Sequence, residues 1–438
     1  HARYKDGRAY TTGNCNGQQI GPLTWRVRSS HPLVQHGQRH RSHIEINLRG
    51  NKVNEVRRRP LNIALVLDRS GSMRGQKMRD AKEAARKMVR LLHPGDVISV
   101  VSYSDDVRVD WPAKRFTRRD ERHIIRVIDK LHAGGSTFLE GGLRRGAEQV
   151  EKYMDDRRVS RILLVSDGNA NVGVRSGRAL ENIARRISST GIATTTVGLG
   201  LDYNEDTMTA IADGGTGSYY YVRESRELAG TFRDELRAMM ATSARRIMVR
   251  VRPRKGVRIV GVHGFEAERD GDAFIIPMPD LAEHAERSLL VELSVPTHLR
   301  GQQRLADVEL AFVDLDGRRY VASSQMDFRT TDDHHAVEKA RDWTVLKRVE
   351  EHRIARALKE SARLVQQGKG AEAQRRIQRA VKSAAVVQGK AKDKRLGEYL
   401  KKARLKASAA PAAARADRST RESYNKSNKA DAFNMSKY

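Results

Sequence analysis

The sequence has one cysteine, few aromatic residues and no long apolar run. Cys15 is the single cysteine among 438 residues, so the chain cannot form an internal disulfide. Aromatic residues make up 5% of the chain, and zinc-ligand spacing and recognition-helix signatures are absent, which argues against reading of nucleic-acid bases and leaves only loose phosphate contact open. No apolar stretch approaches the ~20 residues of a spanning helix, which argues against ion conduction.

Acidic residues are scarce relative to basic ones. Lys and Arg total 83 against 54 Asp and Glu, which gives a formal net charge of +29. A charge of this size favours affinity for polyanions, such as acidic polysaccharides, lipid headgroups or acidic proteins, although a generally basic soluble surface is an equal alternative. The length leaves room for two or three domains, and 39% hydrophobic residues can supply a core for each.

A buried-strand pattern ends in a cluster of oxygen-bearing side chains. Residues Leu61–Leu67 form a short apolar run that is typical of a strand buried on both faces. Asp68, Ser70 and Ser72 follow it in a glycine-containing turn. Ligands collect where the strands of an open α/β sheet end, and hard oxygens at alternate positions are what Mg²⁺, Mn²⁺ or Ca²⁺ select. The segment therefore predicts a divalent-cation loop.

Two later segments complete the constellation. Gly134-Gly135-Ser136-Thr137 offers the hydroxyl of Thr137 on a loop flexible enough to approach a bound ion. The apolar run from Ser160 to Val165 predicts a second buried strand, which ends at Asp167. From a neighbouring strand, this carboxylate can reach the same crevice as the first loop.

The pattern Asp-x-Ser-x-Ser, then Thr, then Asp-Gly, each at the end of an α/β unit, resembles the von Willebrand factor A (VWA) domain with its metal-ion-dependent adhesion site. The resemblance covers roughly residues 60 to 243, and all five ligand positions match. It implies that Asp68, Ser70, Ser72, Thr137 and Asp167 hold a divalent cation (Mg²⁺, Ca²⁺ or Mn²⁺) and that an acidic residue of a partner protein completes the coordination. Two charged ligands leave the ion net positive, which agrees with that role.

Three alternatives stay open for these residues. An Asp after a strand, with Ser nearby, often only caps the following turn or helix. A phosphatase of the haloacid dehalogenase type also places an Asp after its first strand, but it needs a second Asp two residues later, where this chain has Ser70. A site of this kind can also persist as a structural relic that holds loops together without a partner.

The rest of the segment supports a doubly wound α/β fold, because helices and strands alternate along it. Strands are predicted at 96–104, 191–199 and 219–222, and helices at 74–93, 122–131, 139–154, 176–190, 204–212 and 226–241. On both sides of it the chain has short β-rich runs, with turn signals such as Asp270-Gly271 and Asp316-Gly317. We interpret them as one antiparallel β-sandwich into which the VWA domain is inserted.

The C-terminal part is predicted to be helical and then extended. An α-helical hairpin is expected from a helix over 334–367 and another over 371–387, followed by a basic helix at 390–406. An Ala-rich linker and a polar tail follow, for which we expect an extended path over a neighbouring subunit with Tyr424, Phe433, Met435 and Tyr438 as anchors. The predicted organisation is therefore 1–58 N-terminal strands, 59–243 VWA domain, 244–330 remainder of the sandwich, 331–406 helical region and 407–438 linker and tail.

The arrangement is similar to bacterial VWA proteins often labelled chloride-channel-like and, more distantly, to inter-alpha-trypsin inhibitor heavy chains. It implies a non-enzymatic adhesion or scaffold protein that captures an acidic residue and assembles with copies of itself. The alternative is an adaptor for an AAA-type ATPase. That ATPase would be a separate chain, because this one has no Gly-x-x-x-x-Gly-Lys loop. The chain begins with His1, as after removal of a secretory signal or in a truncated sequence, and with the resemblance we expect an extracytoplasmic location.

Overall fold

A computed structural model describes residues 3–5, 8–11, 17–38, 40–52, 59–155, 157–167, 169–200, 204–222 and 224–437. Within these ranges the chain forms three sheets and a layer of C-terminal helices. No helix in the described ranges is both long and apolar enough to cross a bilayer. Six strands come first, and they are β1 (Arg3–Lys5), β2 (Arg8–Thr11), β3 (Gln19–Ile20), β4 (Leu23–Ser29), β5 (Leu33–Gln35) and β6 (His40–Gly50).

The middle of the chain forms a six-stranded sheet with helices on both faces. Its elements are β7 (Leu61–Asp68), α1 (Gln76–Arg90), β8 (Val97–Tyr103), β9 (Val107–Arg115), α2 (Asp120–Asp129), α3 (Leu139–Glu151), β10 (Val159–Ser166), α4 (Gly177–Ser189), β11 (Ala193–Leu199), α5 (Glu205–Gly214), β12 (Thr216–Val222) and α6 (Leu228–Met240). The strand order is β12-β11-β10-β7-β8-β9. All pairs are parallel except β8 with β9, a strand that the pattern analysis missed.

Two hydrophobic clusters lie against this sheet, one on each face. Helices α1, α2 and α6 cover one face and α3, α4 and α5 cover the other. Strands β7 and β10 are buried along their whole length, because both of their faces carry apolar side chains. The prediction of a doubly wound α/β unit is confirmed.

Strands from both flanks of this unit pair with one another. The later ones are β13 (Thr242–Pro253), β14 (Arg258–His263), β15 (Glu268–Asp270), β16 (Ala273–Met278), β17 (Leu281–Ala282), β18 (Glu286–Val295), β19 (Gly301–Asp314) and β20 (Arg319–Thr331). A five-stranded sheet has the order β14-β18-β6-β4-β3, and a nine-stranded sheet is built around β20-β19-β13-β16. One hydrophobic cluster, which includes Trp25, Ile46, Val249 and Leu310, lies between the two sheets.

The chain enters and leaves the six-stranded unit at adjacent points. Helix α6 ends at Met240 and β13 begins at Thr242, so Ala241 is the one residue between them. The Oγ of Ser243 at the exit donates a hydrogen bond of 3.2 Å to the carbonyl oxygen of Asn51 on the entry side. At the end of the unit where β10 begins, the guanidinium of Arg161 is buried and pairs with Glu235 on α6. At 3.6 Å it also pairs with Asp280 of the two-sheet region, the name used here for the five-stranded and nine-stranded sheets together.

The C-terminal helices are α7 (His334–Lys339), α8 (Trp343–Gln366), α9 (Gly370–Ala391), α10 (Lys394–Arg415) and α11 (Arg418–Lys437). The predicted helix over 334–367 is broken, because Asp342 caps α8 with a carboxylate that accepts from the backbone N–H groups of Thr344 (2.8 Å) and Val345 (3.3 Å). Helix α8 packs against the five-stranded sheet, where Leu290 contacts Val345 and Val349. Arg348 also reaches Glu45 of β6 at 3.3 Å.

The predicted Ala-rich linker and extended tail are wrong over residues 407–437. Helix α10 continues through Pro411 to Arg415, and its buried small residues Ala407, Ala410 and Ala414 lie at helical spacing. Alanine has the highest helix propensity, and a small side chain lets helices approach closely. A Cβ at Gly370, where α9 begins, would come within 2.7 Å of the Pro411 Cα atom. Packing therefore offsets the cost of the proline.

The buried histidines of the two-sheet region predict loss of stability in acid. Burial, together with the positive charges of His40 and Arg341, lowers the pKa of His31 to about 3. Between that value and the ordinary pKa of about 6.5, the folded state binds fewer protons than the unfolded state, so the free energy of unfolding falls as the pH drops below 6.5. We expect His31→Gln to remove about 2 kcal/mol of the loss that the wild-type chain shows between pH 7 and pH 5.

The measurement is urea unfolding followed by tryptophan fluorescence, to which Trp25, buried in the same region, contributes. His334→Gln, at an exposed histidine of α7, is the control and should leave the pH dependence unchanged. Equal pH dependence in wild type and His31→Gln contradicts the prediction.

Candidate functional site

Two aspartates lie side by side at the carboxyl ends of β7 and β10. The two strands are parallel neighbours, with Leu67 opposite Val165, so Asp68 ends one strand beside the residues that end the other. Asp68 and Asp167 are both fully buried. A buried carboxylate without compensation is costly, so their surroundings decide what the site can hold.

Asp68 is held by one backbone and one side-chain hydrogen bond. Its Oδ1 accepts from the backbone N–H of Ser70 at 2.7 Å, and its Oδ2 accepts from the hydroxyl of Ser166 at 2.7 Å. Burial raises the pKa of Asp68 to about 6 despite these bonds. A cation bound nearby would stabilise the ionised form of this carboxylate.

Two serine hydroxyls connect the aspartates. The Oγ atoms of Ser70 and Ser72 are 3.0 Å apart, and Ser72 donates to Asp167 Oδ1 at 2.7 Å. Neighbouring oxygen ligands of an octahedral Mg²⁺ with bonds of about 2.1 Å lie about 3.0 Å apart, so this spacing fits a shared cation. Ser70 is buried while Ser72 is exposed, so the row of oxygens opens to solvent at Ser72.

The loop of Thr137 is tied to both aspartate loops. Gly71 N–H donates to the carbonyl of Gly135 at 2.9 Å, and Gly134 N–H donates to the carbonyl of Arg69 at 2.7 Å. On the other side, Thr137 N–H donates to Asn171 Oδ1 at 2.7 Å. The structure therefore brings the loops of all five predicted ligands to one edge of the sheet, with Thr137 buried among them.

A glycine makes the approach of this loop possible. Gly135 has a φ of +78°, and a Cβ at this position would lie 2.1 Å from Asp105 Oδ2. The same Asp105 accepts from the backbone N–H of Ser136 at 2.8 Å. A side chain at residue 135 would strain the backbone at this φ and displace the Asp105 carboxylate that holds the loop.

Lys77 is a part of the site that the sequence analysis missed. Its ammonium donates to Asp167 Oδ2 at 2.6 Å, from the first turn of α1. Ser166 and Asn171 were missed as well, because each acts through a hydrogen bond to a residue distant in the sequence, which the Asp-x-Ser-x-Ser and Asp-Gly patterns do not contain. The signals available were a lysine nine residues after Asp68 and an asparagine four residues after Asp167.

The donor set itself indicates which group fits. Across the described ranges, no three His, Cys, Asp or Glu side chains are grouped to hold a metal, so a cation here needs the hydroxyls as ligands. Carboxylate and hydroxyl oxygens suit hard divalent cations and not soft metals. The residues present therefore fit Mg²⁺, Ca²⁺ or Mn²⁺.

The predicted tail anchors have a different place from the one expected. Tyr424 and Met435 are buried in the chain's own helical layer, where the Tyr424 hydroxyl lies 3.0 Å from Ser361 Oγ of α8. These two side chains are therefore used within one chain, and the extended path over a neighbour is wrong for them. The side chain of Phe433 and the whole of Tyr438 lie outside the described residues.

Comparison with known proteins identifies the family of the six-stranded unit and finds relatives that match parts of the chain. Residues 62–234 match the sequence model of the von Willebrand factor type A domain. An uncharacterised protein of Synechocystis, sll0103, is 30% identical over 59% of this chain and 63% of its own length. Human inter-alpha-trypsin inhibitor heavy chain H3 is 29% identical over 29% of this chain. The chain thus spans less than two thirds of the first relative and 15% of the second.

Two solved structures share the fold over most of the chain. A von Willebrand factor type A protein from Catenulispora acidiphila has a TM-score of 0.70 and 19% identity, and the match covers 85% of this chain and 88% of the other. The ArnB paralog VWA2 from Sulfolobus acidocaldarius has a TM-score of 0.64 and 17% identity over 94% and 99%. At such identities the likeness shows the fold alone. The match of residues 62–234 to the family model identifies the unit that carries the two aspartates as a VWA domain.

Proposed function

We propose that this protein is a non-enzymatic, metal-dependent interaction module. The observation that carries the proposal is the continuous row of oxygens from Asp68 through Ser70 and Ser72 to Asp167. Asp68, Ser70, Ser72, Thr137 and Asp167 would hold the divalent cation. When bound, the cation supplies a positive centre that attracts a carboxylate.

The open side of the site favours an acidic partner. The row of oxygens is exposed at Ser72, and the guanidinium of Arg74 lies at this rim beside Gly134. With two carboxylates as the only charged ligands, a divalent cation here is not over-neutralised. An Asp or Glu side chain of another protein fits both the open position and the basic rim.

VWA domains are generally interaction modules, and we extend this role to the whole chain. We propose that the two-sheet region is a β-sandwich into which the VWA domain is inserted, and that the helical layer braces the two. In our proposal the partner captured by the metal site is a second copy of the chain. We also propose that this assembly takes place outside the cytoplasm.

A row of cations on α9 favours a second role in binding an acidic polysaccharide. Arg375, Arg379, Lys382 and Lys390 are exposed at helical spacing on one face. No carboxylate of the described part of the chain lies within salt-bridge distance of these four side chains. A row of this kind concentrates part of the +29 charge where an extended polyanion can follow it.

The Lys77 ammonium predicts a variant that binds metal more tightly. A cation bound at Asp167 has to share that carboxylate with the ammonium, and the two positive charges repel each other. We expect Lys77→Met to increase Mg²⁺ affinity about tenfold, which corresponds to about 1.4 kcal/mol. Asp68→Asn should weaken it at least tenfold. Isothermal titration calorimetry with Mg²⁺ measures both, and Lys87→Met on the same helix is the control. Unchanged affinity in Lys77→Met contradicts this account of the site.

Metal-dependent self-capture predicts assembly that requires both the ion and Asp68. Light scattering and electron microscopy with Mg²⁺ should show species larger than a monomer, which chelator and Asp68→Ala abolish. Ser189→Ala, at an exposed position of α4 that carries no carboxylate, should leave assembly intact. Assembly that survives chelation assigns the contact to another surface, and a monomer under every condition contradicts self-capture.

The cation row predicts salt-dependent retention on a sulfated polysaccharide. The variant Arg375→Gln/Arg379→Gln/Lys382→Gln should elute from a heparin column at a clearly lower salt concentration than wild type, because three phosphate-like or sulfate contacts are lost. The variant Arg119→Gln/Arg122→Gln/Arg126→Gln, which removes three exposed cations near α2, is the matched control. Equal shifts in both variants would show a response to net charge alone.

A further inference from the structure

A cavity of about 490 Å³ lies where three parts of the chain meet. Strands β6, β14 and β18 of the five-stranded sheet form its floor, α8 forms one wall, and the last turn of α5 in the VWA domain closes one end. This volume is in the range of small-molecule sites in proteins. The cavity contains none of the five predicted metal ligands, so it is separate from the metal site.

The α8 wall is basic. His352, Arg356 and Lys359 line the cavity and lie at i, i+4 and i+7, so they share one face of the helix. Arg353 lines it as well. Lys359 has no carboxylate within salt-bridge distance among the residues described, while Arg356 contacts Glu360 on its own helix at 3.0 Å. The wall therefore presents cationic groups that protein carboxylates neutralise only in part.

The carboxylate on the cavity floor is already engaged. Glu292 of β18 pairs with Arg41 of β6, and the Nε2 atom of His263 lies 3.4 Å from its second oxygen. Two more carboxylates line the cavity, Asp213 at the end of α5 and Glu266, which lies 3.9 Å from Arg185. Against these three carboxylates the lining carries four cations, namely Arg41, Arg353, Arg356 and Lys359, so an incoming anion meets a net positive lining. The charge arrangement favours a negatively charged occupant.

The floor also contains a buried polar atom that lacks a partner. His43 of β6 is more than nine-tenths buried, and no donor or acceptor among the described residues reaches its Nδ1 atom. Burial lowers the pKa of His43 to about 4, so the ring is neutral at pH 7. Buried polar atoms are nearly always satisfied in folded proteins, by protein groups or by bound molecules. The unsatisfied atom is a second indication that the cavity holds a polar occupant.

Apolar side chains form another part of the lining. Leu290 and Val349 contribute to it, together with Phe265 of the loop after β14. Polar groups placed on one wall and apolar groups beside them are the usual composition of a small-molecule site. The occupant therefore has a compact anionic end and space for a small apolar part.

We propose that this cavity binds a small molecule with two or more negative charges, as in a diphosphate or a polycarboxylate. The anionic end lies against Arg356 and Lys359 of α8. Because the walls come from the two-sheet region, the helical layer and the VWA domain, the occupant stabilises their arrangement. This site is independent of the metal site and of the proposed capture of an acidic partner.

Calorimetric titration of the full chain with pyrophosphate, and separately with citrate, tests the proposal. The buffer contains chelator and 150 mM salt, so that neither anion can bind through a divalent cation. We expect one saturable site per chain for at least one of the two probes, with a Kd below about 1 mM. Arg356→Gln/Lys359→Gln should weaken binding at least tenfold, which is at least about 1.4 kcal/mol.

The matched control is Arg122→Gln/Arg126→Gln, which removes the same charge from α2, outside the cavity lining. It should leave the Kd unchanged within twofold. Both pairs are exposed, so thermal melting should show wild-type stability for each variant without ligand. Saturation by pyrophosphate assigns the site to phosphate-type ligands, and saturation by citrate alone assigns it to carboxylates. Absence of saturable binding for both probes up to 10 mM, or an equal loss in the two variants, overturns the proposal.

Discussion

Two buried carboxylates at the ends of neighbouring parallel strands set the constraint on which the structure depends. Asp68 and Asp167 are placed together by the register of β7 against β10, and burying two like charges side by side is unfavourable without compensation. The chain compensates with the hydroxyls of Ser72 and Ser166 and with the ammonium of Lys77. These groups stabilise the two buried carboxylates in the absence of an ion. A bound cation would share the hydroxyls or displace the ammonium.

The layers around the VWA domain hold this edge of the sheet in place without covering it. The domain is attached to the two-sheet region at its opposite edge, through Ala241 and the Arg161–Glu235–Asp280 cluster. Helix α11 reaches back to α5, where the ammonium of Lys429 lies 2.7 Å from Asp206. The domain is therefore fixed from two directions, and its loops of Ser72 and Arg74 stay open to solvent.

Much of the central unit could be predicted, because buried parallel strands and amphipathic helices leave strong periodic signals. The five candidate ligands followed from strand ends and from family resemblance. Strand β9 was missed because it is an edge strand with Pro112 and few buried residues. The last turns of α10, from Ala407 onward, and the whole of α11 were mistaken for linker and tail because their packed faces use small or polar residues. In α11 the buried positions Tyr424, Asn428, Ala432 and Met435 keep helical spacing, but only two of them are large and apolar.

The hydrogen bond between Ser243 and Asn51 has a structural consequence. It joins the segment before the VWA domain to the segment after it, so the two-sheet layer is closed across the base of the domain. A rearrangement of the loops around Asp68 and Asp167, at the opposite edge of the sheet, does not require this junction to open. The binding edge of the domain is therefore separate from its point of attachment.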